Sequence, residues 1–445
     1  MNAHKLITLA AITASAAIPF AANADVGTIQ IHGVTWTVNT NMTQRTAALG
    51  NGSSACIATS TSIDASKIPW SFIVGEGDDA IQYTVTAVAA NAFKGCTKLS
   101  GTLTFPETVT SIGNYAFSNC GQLTKIASFG GVTSIGNRSF EKCYGMDGSE
   151  CPDMSKIASI DVYNHLCFSG KVRLVSLSSG RGIGDQVFAA ATITNAVLSR
   201  KAVNINGNKI FTNCTRLESM FIPGPDSGTE RTLVRRSEFI SGCTSLKVFL
   251  AGPLTGLSNT YGATDQTMFT NVKGCRIFVP TGSNWDTESS TEKGLAAYEA
   301  NNYVFYYGPG RELDLSFDHD DKMISAIPTT VHALTNVLAV AATVKSEFGY
   351  DTRISVTNTI DLTGVTIDPT AVSGVTFDRL MFSAKTQAQL NDILGTFPAT
   401  TPISIDPTGL TENMVIPETY NNVYVKTVPG VTIKRTVSGL MIIVK

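Results

Sequence analysis

The chain has 445 residues, enough for two or three ordinary domains or for one elongated array with an appendage, and it can bury a large core. Hydrophobic residues make up 43% and charged residues 15%, with a formal net charge of -2, which excludes a disordered chain and a basic nucleic-acid footprint. The surface must then be built mostly of Thr, Ser, Asn and Gly.

The first residues, MNAHK, are followed by the apolar run LITLAAITASAAIPFAA and by the small-residue sequence Ala22-Asn23-Ala24. This is the pattern of a secretory signal over residues 1–24, with cleavage expected after Ala24. No later segment reaches the roughly 18 consecutive apolar residues of a spanning helix, so the mature chain is expected to be secreted or held at an extracellular surface without one. Residues 25–83 contain IQIHGVTWTV and IPWSFIV, two strand-like runs that predict an amino-terminal β cap. Trp36 and Trp70 are read as its core residues, with sugar stacking as the alternative.

From residue 84 to 282 one motif recurs. Its best copies are TVTAVAANAFKGCTKLSGTLTFP, TVTSIGNYAFSNCGQLTKIASFG and GVTSIGNRSFEKC, followed by more worn versions. The phenylalanines fall at Phe93, Phe117, Phe140, Phe188, Phe211 and Phe239, with a degenerate copy near Leu166 or Phe168. Each copy supplies a Val/Thr/Ile strand, a turn with Ala-Phe and Cys, and a second strand led by Leu, and none could bury its apolar face alone. Stacking the copies at about 4.8 Å predicts a phenylalanine column, a cysteine column (Cys96, Cys120, Cys143, Cys214, Cys243) and a leucine column (Leu99, Leu123, Leu217, Leu246).

The pattern V-T-S-I-G-x-x-A-F-x-x-C-x-x-L resembles the BspA-type leucine-rich repeat, strongly from residue 84 to 143 and more loosely to 282. CRIFVPTGSNW, from Cys275, is similar to the strand that closes many such arrays. The resemblance implies an α/β-type solenoid rich in β, with an exported location and a role in adhesion to host or neighbouring cells. No binding residue of that family can be carried over to this chain.

The cysteines read first as a ladder of buried thiols, because free Cys is among the most buried residue types. Cys151, in the insert GMDGSECPDMS, is the first candidate for a disulfide, with Cys143 or Cys167 as partner. No zinc spacing, HExxH, GxSxG or P-loop is present, so no metal, cofactor or catalytic residue is expected and the chain is read as non-enzymatic. GRGIGD at 180–185 is a repeat turn, and FDHDDK at 317–322 is a solvated charge run lacking the glycine and distal Glu of a calcium loop.

Alternation along the Leu-led strands predicts which residues face outward: Thr102, Thr104, Lys125 and Ala127 early in the array, then Leu174, Val197, Phe221, Val248 and Leu250 later. That apolar file is the candidate partner-binding face. Two other readings stand beside it: the carboxy-terminal part covers the file, or a one-residue register shift turns it inward.

Residues 283–313 look like a closing helix, a strand and a Gly-Pro-Gly linker. Residues 314–445 read as a separate α+β domain. One helix carries Leu334, Val337, Leu338, Ala341 and Val344, and a second spans 384–394 between Ser383 and Gly395. The function expected is binding of a protein or glycan outside the cell. A self-assembling envelope protein is the alternative, and a hydrolase domain in the last third a more remote one.

Overall fold

The computed structural model describes residues 25–178, 182–198, 200–201, 203–205, 207–225, 230–234, 238–257, 267–281, 285, 295, 298–318, 321–356, 360–361, 372, 375–409, 413–425, 433–437 and 440–444. The expected signal segment at 1–24 and most of the expected closing helix lie outside them.

The repeats wind into a β-solenoid. Short strands Ser111–Ile112, Ser134–Ile135 and Ser159–Ile160 pair in parallel beside Ile81–Val88, so Ile112, Ile135 and Ile160 stack inward. After each of these strands the chain turns a corner through two left-handed residues. Tyr115 (φ 58), Arg138 (φ 54) and Lys209 (φ 54) lie two places before the inward aromatic, and Asn119 (φ 64), Asn213 (φ 60) and Gly242 (φ 75) lie one place before Cys. A left-handed backbone favours Gly and Asn, which explains the Gly or Asn so often found before the cysteine.

The turns bring the phenylalanine rings together. Phe93 and Phe117 stack with centroids 4.9 Å apart, Phe117 and Phe140 at 5.4 Å, and Phe188 and Phe211 at 5.3 Å. The next rung differs from the expected one. Phe211 N–H donates to the Phe239 carbonyl as Phe93 N–H does to that of Ala116, so Ile240 takes the phenylalanine place and Phe239 the alanine place. Phe239 accordingly meets Phe211 edge-on, at 84°. The extra residue between Phe239 and Cys243 is accommodated by that shift. In the degenerate copy Leu166 holds the rung, its N–H donating to Val187. GRGIGD proves to be a repeat turn as far as it is described: Gly184 N–H donates to Ile160, as Gly136 N–H does to Ile112.

The amino-terminal cap is a hairpin, Asp25–Ile31 with Val34–Asn41, extended by Thr46–Leu49. Trp36 is fully buried and packs edge-to-face on Phe93 at 6.1 Å, closing the ring column; Trp70 is half-buried against Phe105.

The Leu-led strands form two sheets. The first holds Ile63–Asp64, Leu99–Thr104 and Gln122–Ser128. The second runs Ser169–Leu174, Thr192–Leu198, Ser219–Ile222, Val248–Ala251, Arg276–Pro280 and Tyr303–Tyr307, all parallel. Between the sheets the third copy makes a 3-10 turn, Tyr144–Met146, where its strand should be.

The carboxy-terminal region has its own sheet. Leu313–Asp318 pairs antiparallel with Met323–Pro328, which continues in parallel through Asp351–Ser355, Val375–Ser383, Ile403–Asp406 and Val423–Val425. Helix α1, Val331–Phe348, is capped by Thr330, whose hydroxyl accepts from Ala333 N–H, and ends at Gly349. Its Leu334, Val337, Leu338 and Ala341 are buried as the spacing predicts, while the Val344 side chain lies outside the described set. Helix α2, Gln387–Thr396, starts three residues later than expected because Thr386, rather than Ser383, supplies the capping oxygen, and Gly395 falls inside the helix. The region is not independent in its packing: its apolar residues merge into one cluster with the outer face of the later solenoid turns.

Candidate binding surface

The residue types most able to do chemistry are the cysteines, and all nine are free thiols. Neither pairing expected for Cys151 forms. The ladder thiols carry out a structural task. Cys120 Sγ donates to the Phe93 carbonyl (3.1 Å), Cys143 to Phe117 (3.0 Å), Cys214 to Phe188 (3.0 Å) and Cys243 to Phe211 (3.1 Å). Each phenylalanine carbonyl therefore holds an N–H of its own turn, that of Cys96, Cys120 and Cys214 for Phe93, Phe117 and Phe211 and that of Ala191 for Phe188, as well as the next turn's thiol. Burial pushes Cys96 up to about 11 and Cys143 up to about 12, and raises Cys120 too, so none is a thiolate at neutral pH. Cys275 lies off this ladder, in the leucine column, with Val272 in the cysteine place and Phe269 in the ring place.

The outer face of the Leu-led strands divides in two. In the first sheet Thr102, Thr104 and Ala127 are exposed and Lys125 half-buried, on the same strands whose Leu103 and Ile126 point into the core. Lys125 reaches Glu150 across the break between the sheets at 3.7 Å, a pair too exposed to add much stability.

In the second sheet the register aligns Arg173, Val197, Phe221, Leu250, Phe278 and Phe305 in one outward file. Val248 stands in the neighbouring file with Asn195 and Ser219. Leu174 belongs to neither. It pairs with Leu198 and is buried in the solenoid interior, so the outward position in its turn is Arg173. The cause is a bulge between Gly170 and Lys171, which slips the strand by one residue and exchanges its faces.

Val197, Phe221, Val248 and Leu250 face away from the solenoid core, yet they are not accessible; Phe221 is 0% exposed and Leu250 1%. The carboxy-terminal region lies on them. Phe317 stacks on Phe221 at 5.5 Å, Tyr350 meets it edge-on at 5.2 Å, and His332 of α1 lies 5.3 Å from Phe305. Leu250 and Phe278 line a small apolar void with Leu315, Ile324, Val337 and Val340, closed on one side by Thr352. Of the readings the sequence left open for this file, cover by the carboxy-terminal part describes the four later residues, and a register shift describes Leu174.

Residues 80–174 and 158–249 match the sequence profile described as BspA type Leucine rich repeat region, in six copies. Residues 80–249 are a BspA-type leucine-rich repeat region. The chain is similar to several solved structures. A leucine-rich repeat protein from Bacteroides ovatus is 15% identical over 88% of this chain and 97% of its own, with a TM-score of 0.35. The leucine-rich repeat protein of T. pallidum is 20% identical over 49% of this chain and 80% of its own, with a TM-score of 0.27. A leucine rich cell surface protein from Faecalibacterium prausnitzii is 15% identical over 62% and 94%, with a TM-score of 0.27. No curated protein matches the chain. Among the described residues, no helix is long and apolar enough to cross a membrane.

The sequence signal for the cover was the helical spacing of α1, which marks an apolar stripe without saying what it meets. The acidic run FDHDDK is described only in part: Asp318 accepts from Asp321 N–H at 3.0 Å, a local turn, and His319 and Asp320 lie outside the described residues.

Proposed function

We propose that this chain is an exported, non-enzymatic binding protein that contacts a protein or glycan outside the cell through the uncovered part of its leucine-strand face. The observation that carries the reading is the regular polar face of the first sheet, with Thr102, Thr104 and Ala127 exposed on a rigid β-solenoid while the apolar file of the second sheet is occupied from within the chain. A flat face held by a stacked core presents side chains with little ordering cost on binding. The non-enzymatic part is supported by the state of Cys120 and Cys143, which burial holds protonated and whose thiols donate to backbone carbonyls. The exported part is supported by the signal-like sequence at 1–24. Partner binding by Val197, Phe221, Val248 and Leu250 would require the carboxy-terminal region to leave them.

The test is capture of extracellular-matrix proteins and arrayed glycans by the mature chain, repeated with Thr102→Arg, Thr104→Arg and Ala127→Arg together. Retention by the wild type and loss in the triple variant, with unchanged thermal stability, is expected. Retention by both would move the site off this face, and a concentration-dependent polymer in size-exclusion chromatography would favour self-assembly.

A further inference from the structure

A groove of about 520 Å³ opens at one corner of the solenoid, lined by Asn213, Thr215, Gly242, Thr244, Asn271 and Lys273. It is built from the repeat itself. Asn213 N–H donates to Ser241 and Gly242 N–H to Thr270, so Asn213, Gly242 and Asn271 occupy equivalent places in three successive turns. Thr215, Thr244 and Lys273 stand two residues further along each turn and form a parallel row. The middle turn has glycine where its neighbours have asparagine, and the missing side chain makes the notch. A Cβ on Gly242 would lie 2.2 Å from Asn213 Oδ1, so the Asn213 amide lies across the glycine at the groove floor.

The polar side chains of this groove are exposed. At other repeat places several amides and a carboxylate tie turns together. Asn114 accepts Asn137 N–H at 2.9 Å, Asn164 accepts Phe140 N–H at 3.3 Å, and Asp185 accepts Asn208 N–H at 2.7 Å. Asn302 likewise accepts Cys275 N–H at 3.1 Å. The side chains of Asn213, Thr215, Thr244, Asn271 and Lys273 make no hydrogen bond or ion pair within the described residues. Two amides, two hydroxyls and one ammonium group thus line one concave surface with no carboxylate among them.

We propose that this groove binds a carboxylate-bearing saccharide. Amides and hydroxyls offer both donors and acceptors, which suits a ligand whose own surface is hydroxyl groups. Lys273 adds a cation to which a sugar carboxylate makes a charge-assisted hydrogen bond. Three turns at the spacing of paired strands span roughly 10 Å, the length of a disaccharide. The proposal rests on the reading of the chain as an outward-facing binding protein, but it uses a surface distinct from the leucine-strand face.

The experiment is saturation-transfer NMR with calorimetry on the mature full-length chain. Its probes are a disaccharide ending in glucuronic acid and the same disaccharide ending in glucose. The acidic sugar should bind at least about tenfold more tightly than the neutral one, the margin of one charge-assisted hydrogen bond. Lys273→Gln should erase that difference, and Thr244→Trp should fill the groove and abolish binding of both, each with an unchanged melting temperature. Absence of binding by the wild type, equal affinity for the two sugars, or an acidic-sugar affinity unaffected by both variants would overturn the proposal. The Thr102, Thr104 and Ala127 variant should keep sugar binding, and Lys273→Gln should keep partner capture, so the two readings fail separately.

Discussion

The same repeat position does two different things in the two halves of the array. In the strands Leu99–Thr104 and Gln122–Ser128 the outward residues are threonines, a lysine and an alanine facing solvent. In Thr192–Leu198, Ser219–Ile222 and Val248–Ala251 they are Val197, Phe221 and Leu250, covered by Phe317, Tyr350 and α1. The inward residues are alike in both halves, since each turn must fill the same slot. The outward residues follow whatever lies over them. A solenoid face therefore records its neighbour: polarity in the first sheet marks a surface meeting water, and apolarity in the second marks an interface within the chain.

The largest break in that contrast is Phe221→Ser. It removes a ring held between two aromatic partners and places a hydroxyl in an apolar cluster, for an expected loss of about 4 kcal/mol or more. Urea denaturation followed by near-ultraviolet circular dichroism measures it. The loss should appear first in the carboxy-terminal region, whose cover depends on this contact. A change under about 0.5 kcal/mol, the range of an ordinary surface substitution, would mean that Phe221 is exposed in solution.

A smaller effect, common to both halves, belongs to the thiol ladder. Cys120→Ala deletes the donor to the Phe93 carbonyl and a buried sulfur, and should cost about 1–2 kcal/mol. The ladder also predicts a pH dependence. Burial raises the folded thiols, Cys96 to about 11 and Cys143 to about 12, above the unfolded value of about 8.5. The neutral thiol is the form the fold favours, so this stabilisation is complete below about pH 8.5 and declines as pH rises toward the folded values. Unfolding free energies at pH 7, 9 and 10.5 should fall along that window, and Cys120→Ala, with one titrating group fewer, should fall less. Thiol labelling supplies a second check: the half-buried Cys151 and Cys167 should react before the ladder, and rapid labelling of Cys120 in the folded chain would contradict the burial on which both expectations stand.

The contrast also shows what the sequence could disclose. The ring and thiol columns were legible because the second left-handed corner of most turns carries Gly or Asn just before Cys, and Ala-Phe precedes it at nearly constant distance. Phe239 was misplaced because the ladder of backbone bonds, not the residue type, decides which side chain occupies a rung. Leu174 was misplaced because a bulge leaves no mark in the apolar pattern. The apolar file itself was legible, but its occupant was not, since α1 and most of the file lie far apart in the chain and only docking brings them together. The corner groove lay in motif residues that repetition made look purely structural. Asn213 and Asn271 satisfy a backbone requirement, and nothing in a one-dimensional pattern says that their amides are left unengaged.

Within the covered half, Thr352 offers a gain rather than a loss. Its hydroxyl is buried without a hydrogen-bond partner beside the void lined by Leu250, Phe278, Val337 and Val340. Thr352→Val keeps the shape and removes the unsatisfied group, so the folded chain should gain about 1 kcal/mol, visible as a higher melting temperature. A loss of the same size would show that the hydroxyl finds a partner in solution, and that the interface between array and cover is wetter than an apolar void.

The smallest expected effect tests the uncovered half. Thr102→Lys and Thr104→Lys alter exposed side chains on a strand whose core contacts come from Leu103, and each should change stability by under about 0.5 kcal/mol. The two threonines nevertheless differ in their surroundings. The pairing with Gln122–Ser128 shifts register twice, between Gly101 and Thr102 and between Leu103 and Thr104, and leaves Thr102 opposite Lys125 and Thr104 opposite Ser128. Lysine at 102 therefore stands opposite a like charge, which destabilises a cross-strand pair by a few tenths of a kcal/mol, and lysine at 104 does not. Thr102→Lys should be the slightly less stable variant at low salt, with the gap closing as salt is added. A gap that persists at high salt would assign the difference to packing, and would mean that a cover of some kind also rests on this half of the face.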